Sequence, residues 1–514
     1  MDDDRRDQSM SRVAHRADRD PRLEVVCRLK SVTIRELRQC VSVEMLATRD
    51  STTGYRDMSD VQTFGAVGDG QADDTAAIRH CVQDGDGLIT FSRGQYRIRQ
   101  TIEIPLDRFD RVGIDGSRGT ATVVMDGPGP AFRLIGTHAG TGDPGTVAPA
   151  VWQRQRMPTV SNIEVTGTNP DADGFELIET MQPIFDGVLI RQVRHGIRLH
   201  KRNRNVLIND SHIYHNTGVG VFLDKVNLHQ INITGNHISY NRLGGIRIAG
   251  SEVRNLQITG NDIEYNNHRQ FGTPPEPTAE IYIDTTAERS SVAEVAVSGN
   301  TIQATSSPGG ANIRIVNVVG EQRPPGLWTV TGNIIGSQEN NIHLTGCYGV
   351  VVSGNFIYSG GLRNVLLEQC REVTLTGNSF RRHTPAAHTG IRIVDSRDCV
   401  ISGCTIQDES EEGQKTGASL LEIEECQRIN VQGCQLLNGV PYGIDARRAR
   451  EVNINGCTIA DTRDQRRSRA AIRFREAGAH NLISACTIGR TLQAALQLDD
   501  VSGVKVTDVV GDGV

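Results

Sequence analysis

Aromatic residues are scarce in this chain of 514 residues, at 4%, with 2 tryptophans among them. A core of bulky rings is thereby excluded, and the apolar volume has to come from small layers of Ile, Val and Leu. No apolar run approaches the ~18 residues that a membrane-spanning helix requires. A strong excess of either charge is also missing. The formal net charge of −6 is mild for this length and gives no footprint for nucleic acid or a membrane surface. There is no Cys-x-x-Cys pair and no Cys/His ligand spacing, which argues against zinc. The acidic residues of the strands are too scattered for a calcium cage, so no metal and no cofactor is expected.

The 11 cysteines are an odd number. Cys27, Cys40 and Cys81 come early, and the rest fall between Cys347 and Cys486. Their places in the repeats favour buried free thiols acting as small hydrophobes over a disulfide framework. Residues 1–57 stand apart; the first 22 are dense in Asp and Arg and poor in apolar side chains, the composition of a disordered segment. They show no charged-then-apolar-then-small pattern of a secretory signal, so localisation stays open. A short helix over 23–47 is one reading; a true start at Met45 or Met58 is another. Residues 58–514 are expected to form one domain.

What the chain does have is glycine, 54 of them, and a repeat. From about residue 185 onward the pattern is apolar-x-apolar-Thr/Ser-Gly-Asn-x-apolar, a turn, then Gly/Asn-apolar-x-apolar and another turn. It appears as Ile231 to Asn236, Leu256 to Asn261 and Val295 to Asn300, and continues through Asn333, Asn355 and Asn378. The same position then becomes cysteine at Cys404, Cys434, Cys457 and Cys486. Self-similarity at 22 to 33 residues marks a solenoid. Alternation of period two within each short segment means strand, and the absence of a 3.6-residue period excludes helical and leucine-rich repeats. Gly-Asn supplies a tight turn, and successive Asn side chains can hydrogen-bond along the axis. The expected fold is all-β, a single right-handed parallel β-helix with a short N-terminal capping helix.

That cap is read from residues 61–105. Asp73, Asp74 and Thr75 are helix-start residues, and Ala76, Ala77, Ile78, Cys81 and Val82 give a short helix with one apolar face. Phe64-Gly-Ala-Val-Gly-Asp-Gly70, Asp73-Asp74-Thr75, Ile78 and Gly94-Gln-Tyr96 resemble the opening of the pectate-lyase superfamily domain. That domain is shared by rhamnogalacturonase/epimerase-like proteins, phage tailspikes and some glucanases and fructotransferases. Ser92-Arg93 replaces the Pro-containing turn of that pattern. The resemblance implies a β-helix and a polysaccharide partner. It does not imply a chemistry, and capping and turn formation account for the acids of the motif. The paired-Asp, Gly-His-Gly and Arg-Ile-Lys signatures of polygalacturonases are absent. The Tyr-Gly-x-Asp-Pro-His motif of mannuronan epimerases has a partial echo at Tyr442-Gly-Ile-Asp445, with Ala446-Arg447 in place of Pro-His.

In each strand Gly-apolar-x-apolar-z, x and z face outward. Aligned coil by coil, x runs Arg198, Phe222, Arg247, Tyr282, Arg314, His343, Leu366, Arg392, and z contributes His200, Asp224, Asp284 and Glu368. Arginine forks suit carboxylates and sulfates, and aromatic faces suit sugar rings. Arg198, His200, Phe222 and Arg314 are therefore expected to bind substrate, an acidic polysaccharide. Asp224 and Asp284, two coils apart, are the candidate pair for inverting hydrolysis. Arg247 is placed to hold a substrate carboxylate; Tyr282, Arg247 or His343 would be the base of a β-elimination. A solvated face with scattered ion pairs is the plain alternative. Insertions at 136–160 (with Trp152 and Arg154), 268–280, 319–326 and 381–389 are candidate groove walls. Function is thus expected to be cleavage of an acidic polysaccharide, with a non-catalytic binding or fibre-like protein, monomeric or trimeric, and a sugar epimerase as alternatives.

Overall fold

Period-two strands can bury one face completely only if the chain winds so that every inward face meets the others. In the coil built from Ile246–Ala249, Glu252–Thr259 and Asp262–Glu264, Ile246, Ile248, Val253, Leu256, Ile258 and Ile263 are buried. The computed structural model describes residues 59–266, 277–304, 306–318, 326–383, 387–408, 418–499 and 502–511. The expectations for residues 1–57, Cys27 and Cys40 included, lie outside them, as do most of the 268–280 and 319–326 insertions.

Each coil contributes to three parallel sheets. Ile246–Ala249 pairs with Val221 to Asp224 before it and Ile281 to Asp284 after it, in sheet 1. Glu252–Thr259 does the same in sheet 2, and Asp262–Glu264 in sheet 3. In Ile197–Asn209 and Val221–Thr234 the strand passes the corner between sheets 1 and 2 with only a register shift after His200. The winding is that of a right-handed parallel β-helix, the hand that parallel connections take.

The helix Thr75–Asp84 caps the first coil with Ile78, Cys81 and Val82 buried. The acids before it serve backbone turns. Asp73 accepts from Thr75 N at 3.1 Å, and Asp74 ties Val67 N at 2.6 Å and Gly68 N at 3.2 Å. Asp74, the N-cap residue, thus spends its side chain on a turn, and Asp73 meets the first helical N–H instead.

The corner between sheets 2 and 3 is a chain of side-chain amides. Asn261 Oδ1 accepts from both Asn236 N and Asn236 Nδ2 at 3.0 Å, and the pattern repeats at Asn300, Asn333, Asn355 and Asn378. Only the glycine of each Gly-Asn step takes the left-handed backbone, as at Gly260 (φ 65°) and Gly299 (φ 63°). The asparagines stay inside, 1 to 3% exposed. From Cys404 onward a thiol does half of the same work. Asn236 Nδ2 donates to Thr234 O and Ile208 O; Cys434 Sγ donates to the equivalent Gln432 O at 3.4 Å and Ile401 O at 3.5 Å. The cysteine corner therefore does carry a polar demand, because its sulfur replaces the amide donor. All nine described cysteines are free and buried.

A second chain lies at the corner between sheets 3 and 1. It runs from Asn216 Nδ2 to Asn241 Oδ1 (2.8 Å), Asn241 Nδ2 to Asn266 Oδ1 (2.7 Å) and Asn266 Nδ2 to Glu280 Oε2 (2.5 Å). It resumes from Asn312 through Asn341 to Asn364. Glu280 lies opposite Asn312 in the register. Glu280 Oε1 and Asn312 Oδ1 are both buried without a donor. Burial pushes the Glu280 carboxyl well above its ordinary range. In its neutral form the carboxyl carries a hydroxyl, the kind of donor that Asn312 Oδ1 lacks.

Candidate functional site

Sheet 1 carries the outward column in the expected order. Arg198, Phe222, Arg247, Tyr282, Arg314, His343, Leu366 and Arg392 are register partners on successive coils. His200, Asp224, Ala249, Asp284, Val316, Thr345 and Glu368 form the companion column, and all of these residues are half-buried.

Their side chains are engaged mainly with one another. Arg198 donates Nε to Asp224 Oδ2 at 3.1 Å and Nη1 to Glu176 Oε1 at 3.3 Å. Glu176 in turn accepts from Arg133 (2.5 Å), which also reaches Glu103 (2.7 Å). His200 Nδ1 donates to the Asp224 carbonyl at 2.9 Å. Asp284 accepts from Thr286 N at 2.9 Å and Thr286 Oγ1 at 2.6 Å, a local turn. Asp224 and Asp284 thus serve separate local networks, with Ala249 between them in the column.

The aromatic positions are likewise covered. The Arg247 guanidinium, one coil before, lies 5.2 Å from the Tyr282 ring centroid, and that of Arg314, one coil after, lies 5.8 Å from it. Stacking along the solenoid axis spends both ring faces on cations, so neither face of Tyr282 is left for a sugar ring. Phe222 packs beside His195, ring centroids 5.1 Å apart, and burial pushes that imidazole down to about 4. His343 Nε2 meets Glu368 Oε2 at 2.7 Å, and this hydrogen bond holds the Glu368 carboxyl below its ordinary range. Several other aromatic contacts lie around sheet 3 and stack on each other, as His212 does on His237 and Tyr240 on Tyr265.

The 136–160 insertion was a candidate wall for this column. Its Thr141 and Gly142 carbonyls accept from Arg204 Nη1, and Val151 and Trp152 pack on Met181. Those contacts put it at the start of sheet 2.

Followed past Arg392, the two columns reach a pocket. The inner column continues Glu422, Asp445, Arg473, and its companion Glu424, Arg447, Arg475. Arg363, Arg392, Arg447 and Arg475 line a cavity of about 190 Å³ together with Glu422, Glu424 and Asp445. Every one of these arginines has an acid: Arg363 with Glu422 at 2.9 Å, Arg392 with Glu424 at 2.8 Å, Arg447 with Glu424 at 3.4 Å, Arg475 with Asp445 at 2.9 Å. Asp445 also takes a two-pronged contact from Arg473, at 3.0 and 2.7 Å. That guanidinium lies 3.9 Å over the Tyr442 ring and donates to its hydroxyl at 2.9 Å.

Glu422 and Asp445 are register partners on neighbouring coils, a spacing of about 4.8 Å between strands. Four guanidiniums against three carboxylates leave the lining cationic, which suits an acid group on a ligand. Among the described residues no group of three His, Cys, Asp or Glu is arranged to hold a metal ion. Glu422, Glu424 and Asp445 were not singled out from the sequence as site residues. Two signals pointed there: the columns simply continue beyond Val394, and Tyr442-Gly-Ile-Asp445 is the partial epimerase-like echo.

A family described as "Right handed beta helix region" matches residues 150–317 and 279–459. No curated protein matches the chain. Among solved structures, the Dettilon tailspike protein is 14% identical over 88% of this chain and 68% of its own, with a TM-score of 0.43. The enzymatically active domain of bacteriophage CBA120 tailspike protein 2 is 13% identical over 67% of this chain, with a TM-score of 0.43; this chain spans 47% of it. The A-module of the Azotobacter vinelandii mannuronan C-5 epimerase AlgE4 is 14% identical over 88% of this chain and 96% of its own, with a TM-score of 0.35.

Proposed function

Because the chain belongs to the right-handed β-helix family, we propose that it handles an acidic polysaccharide laid along sheet 1, with its chemistry in the pocket between Arg363 and Arg475. One observation carries this reading. Glu422 and Asp445 stand on adjacent coils and line the same cationic cavity, the juxtaposition that Asp224 and Asp284 lack. Two carboxylates on adjacent coils, with strands about 4.8 Å apart, offer a nucleophile and an acid for retaining hydrolysis. In β-elimination the same residues divide differently. Arginine forks neutralise the uronate carboxylate and so acidify the neighbouring C–H, and a carboxylate takes that proton.

Incubating the full chain with a panel of acidic polysaccharides tests the proposal. Chain shortening with saturated reducing ends identifies hydrolysis; ultraviolet-absorbing unsaturated ends identify elimination. Glu422→Gln and Asp445→Asn should each lower the rate by roughly 100-fold, the usual worth of a general acid or base. If the wild type binds such polymers and forms no product, the catalytic half fails and a binding protein remains. If it neither binds nor cleaves any of them, the proposal fails.

A second reading rests on the Tyr442-Gly-Ile-Asp445 echo, whose Asp445 lines this pocket. An epimerase would abstract the same proton and return one to the opposite face. Sugar composition would then change while chain length stayed constant.

A further inference from the structure

Sheet 2 presents a different surface in the early coils. A cavity of about 480 Å³ opens there, within the range of about 300–1,000 Å³ typical of small-molecule sites. Six amide side chains line it: Gln182, Asn205, Gln230, Asn232, Asn255 and Gln257. Ile184 and Leu207 give it an apolar floor, Met157 is a further lining residue, and no lining residue carries a charge. In a chain with 23% charged residues, a cavity of this size without one is a marked local composition.

The arrangement follows from the coil register. Ile184, Leu207, Asn232 and Gln257 are partners on four successive strands of sheet 2. Gln182, Asn205, Gln230 and Asn255 occupy the preceding corner, each with a left-handed backbone between 54° and 68°. The amides are also unspent. Among the described residues, the side chains of Gln182, Gln230, Asn232 and Gln257 make no hydrogen bond. Asn205 Oδ1 is buried without a donor, and Asn255 Nδ2 reaches only His229 Nε2 at 3.2 Å.

We infer that this cavity is a second binding site, for an uncharged and hydroxyl-rich ligand of the size of a short neutral oligosaccharide. An amide donates and accepts from one planar group, as a pair of sugar hydroxyls does in return. The apolar floor covers the C–H face of a ring. A ligand with a carboxylate or sulfate finds no cation in the lining, so this site discriminates against what the sheet 1 pocket would take. The inference does not depend on the sheet 1 proposal, since it uses no residue of that pocket.

Calorimetric titration of the full chain tests it, with short gluco-, manno- and galacto-oligosaccharides at roughly 50 and 500 mM NaCl, where charge-based binding would be heavily screened. Saturable binding is expected whose affinity changes less than about twofold with salt. The double variant Asn232→Ala/Gln257→Ala should lose about tenfold or more, the worth of one or two hydrogen bonds. Gln230→Ala serves as an independent probe from the corner, and Asp445→Asn should leave the affinity unchanged. Thermal melts separate lost binding from lost folding. Absence of binding by every neutral oligosaccharide overturns the inference. So does binding that survives the amide variants, falls with Asp445→Asn, or is shown only by extended peptides.

Discussion

From Arg363 to Arg475, sheet 1 pairs each pocket arginine with an acid, and from Cys404 to Cys486 the corner between sheets 2 and 3 is lined with thiols. From Asn236 to Asn378 the same corner is an unbroken run of amides. Sheet 1 there stacks arginine on tyrosine, and the nearby cavity on sheet 2 holds no charge. The inward layers of Ile, Val and Leu are alike in both halves. The solenoid thus needs only its alternation and its corner, and the outward chemistry can change from coil to coil at little cost to the fold. The amide corner couples its members, because each Asn accepts from the coil before and donates to the coil after. Cys404, Cys434, Cys457 and Cys486 also contact one another in series, but a thiol is a weak donor and a weak acceptor, so their coupling is weaker than that of the amides.

The largest expected effect tests that coupling. Asn300→Ala strips the acceptor from Asn261 N and Nδ2 and one of the two donors from Asn333 Oδ1. It should cost roughly 3–5 kcal/mol, as the sum of several buried unsatisfied groups. Cys434→Ala should cost only about 1–2 kcal/mol for a small cavity and one weak donor. Denaturant midpoints with hydrogen exchange along the corner decide between them; equal losses would break the comparison.

Next comes Asp445→Ala, which leaves Arg473 and Arg475 facing each other half-buried. A loss of about 2–4 kcal/mol is expected, as for one partner of a buried ion pair. Asp284→Ala in the other half removes a surface turn bond and should cost within about 1 kcal/mol. Thermal unfolding of the two variants side by side measures the difference.

Glu280 gives the amide half a pH dependence of its own. Its folded carboxyl lies well above the ordinary 4.5, so the folded chain keeps a proton that the unfolded chain releases. That contribution is whole below pH 4.5 and drains as pH rises toward the folded value, at up to about 1.4 kcal/mol per pH unit. Glu280→Gln puts an amide in the chain and should flatten the slope, making the variant relatively more stable at alkaline pH. Stability curves between acid and alkaline pH check it, and an unchanged slope would refute the buried-acid account. The smallest effect is Tyr282→Leu, which should cost about 0.5–1 kcal/mol through the lost contacts with Arg247 and Arg314; a double-mutant cycle with Arg314→Gln reads it.

Much of the architecture was legible because it is local. The spacing of Asn236, Asn261 and Asn300 announced the corner, and alternation in Ile246-Arg-Ile-Ala249 told which residues face out. The order of the sheet 1 column could be read for the same reason. What those outward residues do was not legible. Arg198 could not be known to hold Asp224, nor Tyr282 to lie between two guanidiniums, because each contact joins residues of different coils. The importance of Glu422 and Asp445 was hidden in the same way: each is unremarkable in its own strand, and only their alignment makes a pocket.

The sequence by itself determined the β-helix, its capping helix, the inward layers and the corner residues, since turn chemistry and period-two patterning act within a few residues. The tertiary structure alone decided which side chains meet. It joined Asn266 to Glu280, spent Asp224 on Arg198, and gathered three carboxylates with four arginines at one end and six amides on another face. The reason is physical. Side-chain reach across the roughly 4.8 Å between coils sets hydrogen bonding and charge pairing, and residues 20 to 40 apart in the chain become neighbours only once it has wound.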